Sequence, residues 1–370
     1  MVYALKFDSD PIIHHETLIE KFVINRLRRV SNKILVRLLM KNNGLYMAKN
    51  EALEIVHKRK YRELLYKFPI DFIFRNIVDW IVGFLPKHSI YLFEIDEPFL
   101  YEDFIAILVK NLDQDIEATP RLILFKTRIE HRPLLRWIYV STNFRQIYMY
   151  FRMKGKKEQI VTPRGRLKTQ YRFVHSLVVL RDNSKLIEVR TNSKINRALA
   201  SVGRTLEILG LGVDVKVNKI NFNSLSFIRR ILEFADAVGY LTLEFTGPSI
   251  SPKERGSRYG KITYSGRRLG GKIDDLRRDE EVREKIEKAF VAGGITKMHG
   301  IIRVNLIGDQ KLKFDDAELS FGINFRENKV YLFSGATEAG YTFLINKIYD
   351  IWRGVSKDEK ASPTLDWFLA

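Results

Sequence analysis

The first part of the chain carries a helical pattern of apolar positions. Between residues 17 and 86, apolar residues recur at intervals of three and four, which places them along one face of successive helices. Pro69 interrupts this pattern and Pro86 ends it. Lysine and arginine occupy many of the positions in between. Residues 1–88 are therefore predicted to form a basic helical domain, a small bundle.

The pattern then changes to alternating strands and helices. Residues 89–112 predict a short strand and a helix, and the apolar period that follows is two, which is typical of strands. Two of these strands meet at Asp182-Asn183-Ser184, a reverse-turn composition. An amphipathic helix follows and is predicted to stop at Gly210. Residues 89–215 are thus predicted to form an α+β domain.

Three further segments complete the predicted organisation. Residues 216–295 read as a connecting segment with a strand, a helix, a second strand, a basic glycine-rich loop and a charged helix. Residues 296–354 predict a strand, a tight hairpin and a long amphipathic helix. The tail, 355–370, is polar and then apolar, so it either docks on the body or meets a partner.

Two helices carry predicted N-caps. Asn192 or Ser193 precedes the first, and Asn223 or Ser224 precedes the second. Side-chain oxygens of these residue types accept hydrogen bonds from the free N–H groups of a first helical turn. Each helix is therefore predicted to begin directly after its cap.

Two stretches of the chain resemble each other. The stretch from Asp316 to Gly354 predicts a hairpin, a turn and a helix, and the stretch from Phe173 to Gly210 predicts the same order. Either a duplication produced both, or a common motif occurs twice by chance. With duplication, the predicted fold class is α+β: an N-terminal helical bundle followed by a pseudo-duplicated body of antiparallel sheet and helices.

The amino-acid composition narrows the range of functions that this protein can have. The chain has 370 residues, a net charge of +19 and no cysteine, which excludes disulfides, cysteine nucleophiles and Cys-ligated metals. The seven histidines are scattered, so we predict no metal site and no cofactor. A protein this basic usually meets a polyanion, most often nucleic acid. The alternative is the general lysine excess of a hyperthermophile surface, which the Lys, Glu and Ile content also favours.

The expected location in the cell depends on two kinds of segment, membrane spans and signal peptides, that the sequence pattern does not show. No stretch reaches the roughly 18 apolar residues that span a bilayer. The N-terminal residues also lack the apolar core of a signal peptide. We therefore expect a cytoplasmic, nucleoid-associated protein with no membrane partner.

The positive charge is concentrated in two segments. Residues 152–172 hold eight cations and one acid, and residues 253–272 hold seven cations and one acid. Their glycines and prolines predict loops, the first alternatively a flexible hairpin. The nucleic-acid-binding residues predicted in these segments and in the N-terminal helices are Arg152, Lys154, Lys156, Lys157, Arg164, Arg166, Lys168, Arg172, Lys253, Arg255, Arg258, Tyr259, Lys261, Tyr264, Arg267, Arg268, Lys272, Arg26, Arg29 and Lys33.

These segments suit phosphate recognition. Flexible cationic loops neutralise phosphates and release counterions, with little direct readout of bases. Tyr171, Tyr259 and Tyr264 either stack on unpaired bases or anchor the loops. For the helical cations, the alternative is that they only solvate exposed helix surfaces. The polyanion is DNA or RNA.

The sequence supports a catalytic function less well than it supports nucleic-acid binding. Asp182 followed by Glu188 resembles the carboxylate pattern of metal-dependent nucleases, but no third ligand is suggested. The Gly-rich stretch 266–272 lacks the order of a phosphate-binding nucleotide loop. No catalytic residue is therefore predicted.

The segment from Phe325 to Gly354 resembles the half-repeat of the TATA-box-binding protein fold, with residues 299–309 in place of that family's first strand. Phe325 matches the position of a phenylalanine that wedges DNA in that family, and Leu180 stands at the first copy's equivalent position. The layout also resembles centromere proteins N and L, which carry a divergent form of such a fold, and the N protein has a small helical domain in front of it. That resemblance implies basic residues that hold DNA phosphates.

The sequence therefore predicts a non-enzymatic, DNA-binding or chromatin-associated protein. One alternative is a metal-dependent nucleic-acid-processing enzyme. Another is a protein-assembly scaffold subunit that forms homo- or hetero-oligomers through a sheet edge or the C-terminal aromatic tail.

Overall fold

The computed structural model divides the chain into two compact units, Met1–Lys219 and Ile220–Ala370. The predicted five-part division of the chain stays a prediction. The residues that the structure describes are 5–7, 11–12, 16–41, 47–83, 88–112, 122–128, 130–161, 163, 165–211, 215–245, 260–266, 268–269, 272–304, 317–333 and 337–358.

The first unit begins with short helices. They are α1 (Glu16–Leu27), α2 (Asn32–Lys41), α3 (Lys49–His57), α4 (Tyr61–Lys67), α5 (Ile70–Ile73) and α6 (Asp79–Ile81), with a π-helical turn at Phe74–Val78. The helical pattern predicted for this region is confirmed. Whether these helices form a separate bundle stays a prediction.

An antiparallel sheet follows in the same unit. Its strands and the helices between them are β1 (Pro11–Ile12), β2 (Ser89–Phe99), α7 (Tyr101–Leu112), β3 (Leu122–Phe125), β4 (Leu134–Ser141), β5 (Gln146–Val161), β6 (Leu167–Arg181), β7 (Ser184–Thr191), α8 (Ile195–Ile208) and β8 (Val217–Lys219). In the first unit the strands lie in the order β1-β3-β4-β5-β6-β7-β2, and β8 pairs with β2.

Both faces of this sheet are covered. On one face Met149, Phe151 and Val178 join a buried apolar cluster with residues of α7 and α8. On the other face aromatic side chains of β4 meet the N-terminal helices: the ring centroids of Trp137 and Phe22 lie 5.3 Å apart. The Tyr139 hydroxyl donates to Asp79 Oδ1 at 2.7 Å in the same layer. The N-terminal helices therefore pack directly on the sheet.

The second unit is also mixed. Its elements are α9 (Leu225–Phe234), β9 (Ala237–Phe245), β10 (Gly260–Ser265), β11 (Arg268–Leu269), β12 (Lys272–Ile273), a 3₁₀ turn (Leu276–Arg278), α10 (Glu280–Ala292), β13 (Gly293–Val304), β14 (Ala317–Asn324), β15 (Lys329–Leu332) and α11 (Glu338–Asp358). The strand order in this unit is β10-β9-β13-β14-β15, all antiparallel. The α+β class is thus confirmed.

The two predicted hairpins share their turn geometry. Asn183 between β6 and β7 has φ 48°, and Asn328 between β14 and β15 has φ 52°. Asparagine tolerates this left-handed conformation better than most residues. Each hairpin is followed by a helix, α8 or α11. The correspondence of the two stretches is therefore seen at the turns.

Phe325 does not have the exposed ring that a DNA wedge needs. It is 1% exposed, and its ring meets that of Phe227 on α9 edge-on at 6.4 Å. The wedge role that the family resemblance implied for this position is therefore wrong, since the ring belongs to the core of the second unit.

One helix cap is confirmed and one is wrong. Ser224 Oγ accepts a hydrogen bond from the Phe227 N–H at 3.2 Å and caps α9. The cap of α8 is Lys194, with no side-chain hydrogen bond. Asn192 instead accepts from the His175 N–H at 3.0 Å, because the neighbouring strand takes its side chain.

Among the described residues, no helix is long and apolar enough to cross a membrane.

Candidate nucleic-acid interface

The first cationic segment is a regular β-hairpin rather than a loop. Beyond Arg152 on β5 and Ser176 on β6, the two strands pair with each other as far as Val161 and Leu167, and no third strand within the described ranges continues alongside. From Phe173 to Leu167 this ribbon extends about 20 Å, at roughly 3.3 Å per residue. We call residues 153–173 the arm. The prediction of a loop is therefore wrong for this segment, and the alternative of a hairpin is correct. Its two strands are regularly paired.

Gly155 marks the point where the arm begins. The strand register shifts between Lys154 and Lys157, which is a β-bulge. A Cβ atom at Gly155 would lie 2.6 Å from the carbonyl oxygen of Arg172 and 3.2 Å from Val174 Cγ2. Only glycine fits this close approach of the two backbones. The bulge therefore sets the direction in which the arm leaves the sheet.

Cross-strand pairs assign the arm residues to two faces. Partners in register point to the same side of the ribbon. One face carries three such pairs, and the other carries Ile160 with Lys168 and Glu158 with Gln170. The three pairs of the first face are Lys157 with Tyr171, Gln159 with Thr169, and Val161 with Leu167.

The cations at the root of the arm lie on aromatic rings. Arg152 Cζ lies 3.9 Å from the Phe173 ring centroid, and the amines of Lys154 and Lys157 lie 5.1 and 5.6 Å from that of Tyr171. These contacts hold the positive charges in place without neutralising them. Tyr171 also meets His131 edge-on at 5.5 Å, which favours the anchoring alternative for this tyrosine.

The remaining arm cations are exposed. Lys156, Arg166, Lys168 and Arg172 are all solvent-accessible. Arg172 forms an ion pair with Glu158 at 3.5 Å, in which both side chains stay exposed. Among the described residues, Lys156, Lys157 and Lys168 have no carboxylate partner.

Arg26 is buried, and the prediction that it is an exposed contact is wrong. It is 3% exposed, its Nη1 donates to the Val82 carbonyl oxygen at 3.1 Å, and its guanidinium lies 4.9 Å from the Trp137 ring centroid. Its position four residues after Phe22 puts it on the apolar face of α1, a signal the sequence did hold. Arg29 and Lys33 are exposed as predicted.

The pKa of His175 indicates a positive electrostatic potential where the arm approaches the N-terminal helices. Burial lowers its pKa, and the nearby charges of Arg152, Arg29 and Arg26 lower it further, to about 4. The Tyr150 hydroxyl lies 2.5 Å from Nδ1 of this ring. The fold therefore brings Arg29, distant in sequence, to the root of the arm. Sequence reasoning missed His175 and Phe173, although both alternate with the arm cations along β6.

This histidine should make stability depend on pH in a defined window. Its folded pKa lies below the ordinary 6.5, so the unfolded chain binds a proton that the native state rejects. Stability should fall as pH drops from 6.5 towards about 4, and this loss should be smaller in a His175→Asn variant. Calorimetric melting temperatures across this range test the effect. The matched control is His57→Asn at an exposed position, which should keep the wild-type profile.

The second cationic segment is only partly described. Lys253, Arg255, Arg258, Tyr259, Arg267 and, in the first segment, Arg164 lie outside the described residues. Arg268 and Lys272 lie on β11 and β12, whose side chains the structure does not describe.

β10 corrects the loop predicted for this segment, because residues 260–265 pair with β9 along their whole length. Lys261 is exposed on this strand. Tyr264 is the register partner of the buried Leu241, so it lies on the core side of the sheet, where it is half-buried, and this favours the anchoring alternative for this tyrosine.

The two carboxylates considered for nuclease chemistry have other roles. Glu188 is buried between Arg190, whose Nε donates to it at 2.5 Å, and Arg181. Burial raises the pKa of Glu188, but the two arginines outweigh it and hold the pKa at about 2. Asp182 accepts from the Tyr101 N–H at 3.0 Å and from Arg145 Nε at 2.7 Å.

Within the described ranges, no group of three or more His, Asp or Glu side chains is placed to hold a metal ion. The hydrogen bonds of Glu188 lie within the sheet, and those of Asp182 lie at the turn between β6 and β7.

Comparison of the chain with protein-family models and with curated proteins found no match.

Proposed function

We propose that this protein is a non-enzymatic DNA-binding protein whose arm holds phosphates. The observation that carries the proposal is the two-stranded ribbon of the arm, whose exposed Lys156, Lys157 and Lys168 have no carboxylate partner in the described part of the chain. A ribbon of this kind presents cations along both edges at the spacing of a strand. Such an arrangement follows a phosphate backbone and contributes affinity with little base specificity.

The root of the arm supports the same function. Arg29 and Arg152 lower the pKa of His175, so their charges add to one local field. Lys33 is exposed on the neighbouring helix α2. A field of one sign attracts a polyanion and speeds its association. The DNA therefore runs past the root of the arm and the junction between α1 and α2.

The fold supports a pseudo-duplicated body as part of this proposal. In the first unit β2, α7, the strands β3–β7 and α8 follow in order. In the second unit α9, the strands β9–β12, α10, the strands β13–β15 and α11 follow, so each unit contains a hairpin followed by a helix, and the second has the additional helix α10. The shared hairpin and helix resemble the half-repeat of the TATA-box-binding protein fold, and the helices before the first sheet resemble the layout of centromere protein N. We infer a scaffold of two such repeats, a preceding helical bundle and a nucleoid-associated location.

Salt-dependent binding tests the function. Labelled duplex DNA, single-stranded DNA and structured RNA should be titrated by anisotropy at several salt concentrations. With about six phosphate contacts, the logarithm of affinity for duplex should fall with the logarithm of salt with a slope of about −5. Duplex should bind more tightly than the other two, and it should stay intact when Mg²⁺ is added. Binding that is absent, or insensitive to salt, contradicts the proposal.

A further inference from the structure

The last strand pair of the arm is apolar. Val161 and Leu167 are 69% and 72% exposed, and they are register partners at this last pair of the ribbon. They share the face that carries Gln159 with Thr169 and Lys157 with Tyr171. This face thus changes from a cation at the root, through a polar pair, to an apolar pair, and the exposed Arg166 lies beyond that pair.

Water disfavours such an end. Large apolar side chains stabilise a protein when they are buried, and these two side chains are mostly exposed to water instead. An apolar cross-strand pair does support a hairpin, but threonine supports a strand about as well without exposing as much apolar surface. The placement of both residues at the last strand pair of a cationic ribbon points to an apolar environment that the arm enters on binding.

We infer that Val161 and Leu167 form a wedge that enters a base step of duplex DNA from the minor groove and kinks the duplex. This inference rests on the proposed function. Charge complementarity favours DNA as the occupant, because Lys156, Lys157 and Lys168 lie within a few residues of the wedge. Apolar side chains between base pairs unstack one step and bend the helix by roughly 20–90°.

The polar pair behind the wedge suits the same groove. Gln159 and Thr169 face the same way as the wedge and are exposed. Their amide and hydroxyl groups can donate to the acceptors on the floor of the minor groove, which A·T and T·A pairs share. Pyrimidine–purine steps such as TA unstack most easily. The arm should therefore prefer sites with a TA step without reading a longer sequence.

Bending of labelled DNA tests the wedge in the full-length protein. A duplex of about 30 base pairs with a donor and an acceptor dye at its ends reports the end-to-end distance, and 2-aminopurine next to a central TA step reports unstacking. The wild-type protein should shorten the distance and raise the 2-aminopurine fluorescence. The variant Val161→Thr with Leu167→Thr should lose both signals, while its affinity falls less than about tenfold and its salt slope stays unchanged.

The outcomes separate the two proposals. If the wild-type protein does not bind duplex, the proposed function fails, and the wedge fails with it. If it binds with a steep salt dependence but does not bend the DNA, or if the variant bends it equally, only the wedge is overturned. Vesicles of anionic phospholipid serve as the second probe. If the variant loses vesicle binding and bends DNA as before, the tip serves a lipid surface and the wedge is wrong.

Discussion

Replacing Arg166, Lys168 and Arg172 together by glutamine is expected to weaken duplex binding on the order of a hundredfold near physiological salt. Each lost phosphate contact removes about 0.9 from the slope of affinity against salt, so the slope should become shallower by about three. The two curves should approach each other near 1 M salt, roughly where counterion release no longer drives binding. Anisotropy titrations across the salt range measure both quantities.

The control variant carries the same change of charge elsewhere. Lys110, Lys216 and Lys219 are exposed in the same unit and lie on α7, before β8 and on β8. Their combined replacement by glutamine lowers the net charge by the same amount but should change the slope by much less. An equal effect of both variants would show that affinity follows net charge alone, and would remove the arm from the proposal.

Replacing Glu188 by glutamine is expected to destabilise the first unit by about 3–5 kcal/mol. Glu188 is fully buried between Arg181 and Arg190, and Arg190 also donates from Nη1 to the Gly83 carbonyl oxygen at 3.0 Å. Without the carboxylate, two buried guanidinium groups keep their charge and lose their counterion. Amide hydrogen exchange of β6 and β7 in increasing denaturant measures the loss in this unit.

An exposed ion pair provides the matched control. Glu130 Oε2 lies 3.1 Å from Arg132 Nε, and both side chains are more than half exposed. Glu130→Gln should cost less than about 1 kcal/mol, because water screens such a pair. A similar loss in both variants would contradict the role given to burial. The stabilisation by Glu188 should also disappear in acid, as pH falls from 4.5 to its pKa of about 2.

The arm illustrates which structural features local sequence patterns predict and which they do not. The cations, Gly155 and the turn residues 163–165 were visible in the sequence and suggested a loop or a flexible hairpin. The register from Lys157 with Tyr171 to Val161 with Leu167 was not visible, because strand pairing depends on both strands at once. The apolar pair followed only from that register, since the register places Val161 and Leu167, six residues apart in sequence, side by side on one face.

Burial of charged groups was equally hard to foresee. Arg26 lies in the last turn of α1 and Arg29 two residues beyond its end, yet the first is buried under Trp137 and the second is exposed. Glu188 looked like an acidic residue on a strand, and it is the counterion of two arginines. The partners of Arg26 come from distant parts of the chain, whereas those of Glu188 lie on β7 itself and on the neighbouring strand β6.

The sequence by itself determined the local elements: the helical character of the N-terminal region, the strands, the reverse turn at Asn183, the stop at Gly210 and the concentration of charge. The period of apolar residues and the residue types of a turn are local features that extend over a few positions. Both can therefore be identified directly in a sequence. The tertiary structure alone decided that residues 153–173 form a paired arm, that Arg26 and Phe325 are buried, and that Arg29 meets Arg152 around His175. These depend on packing and register between distant segments, which local patterns do not specify.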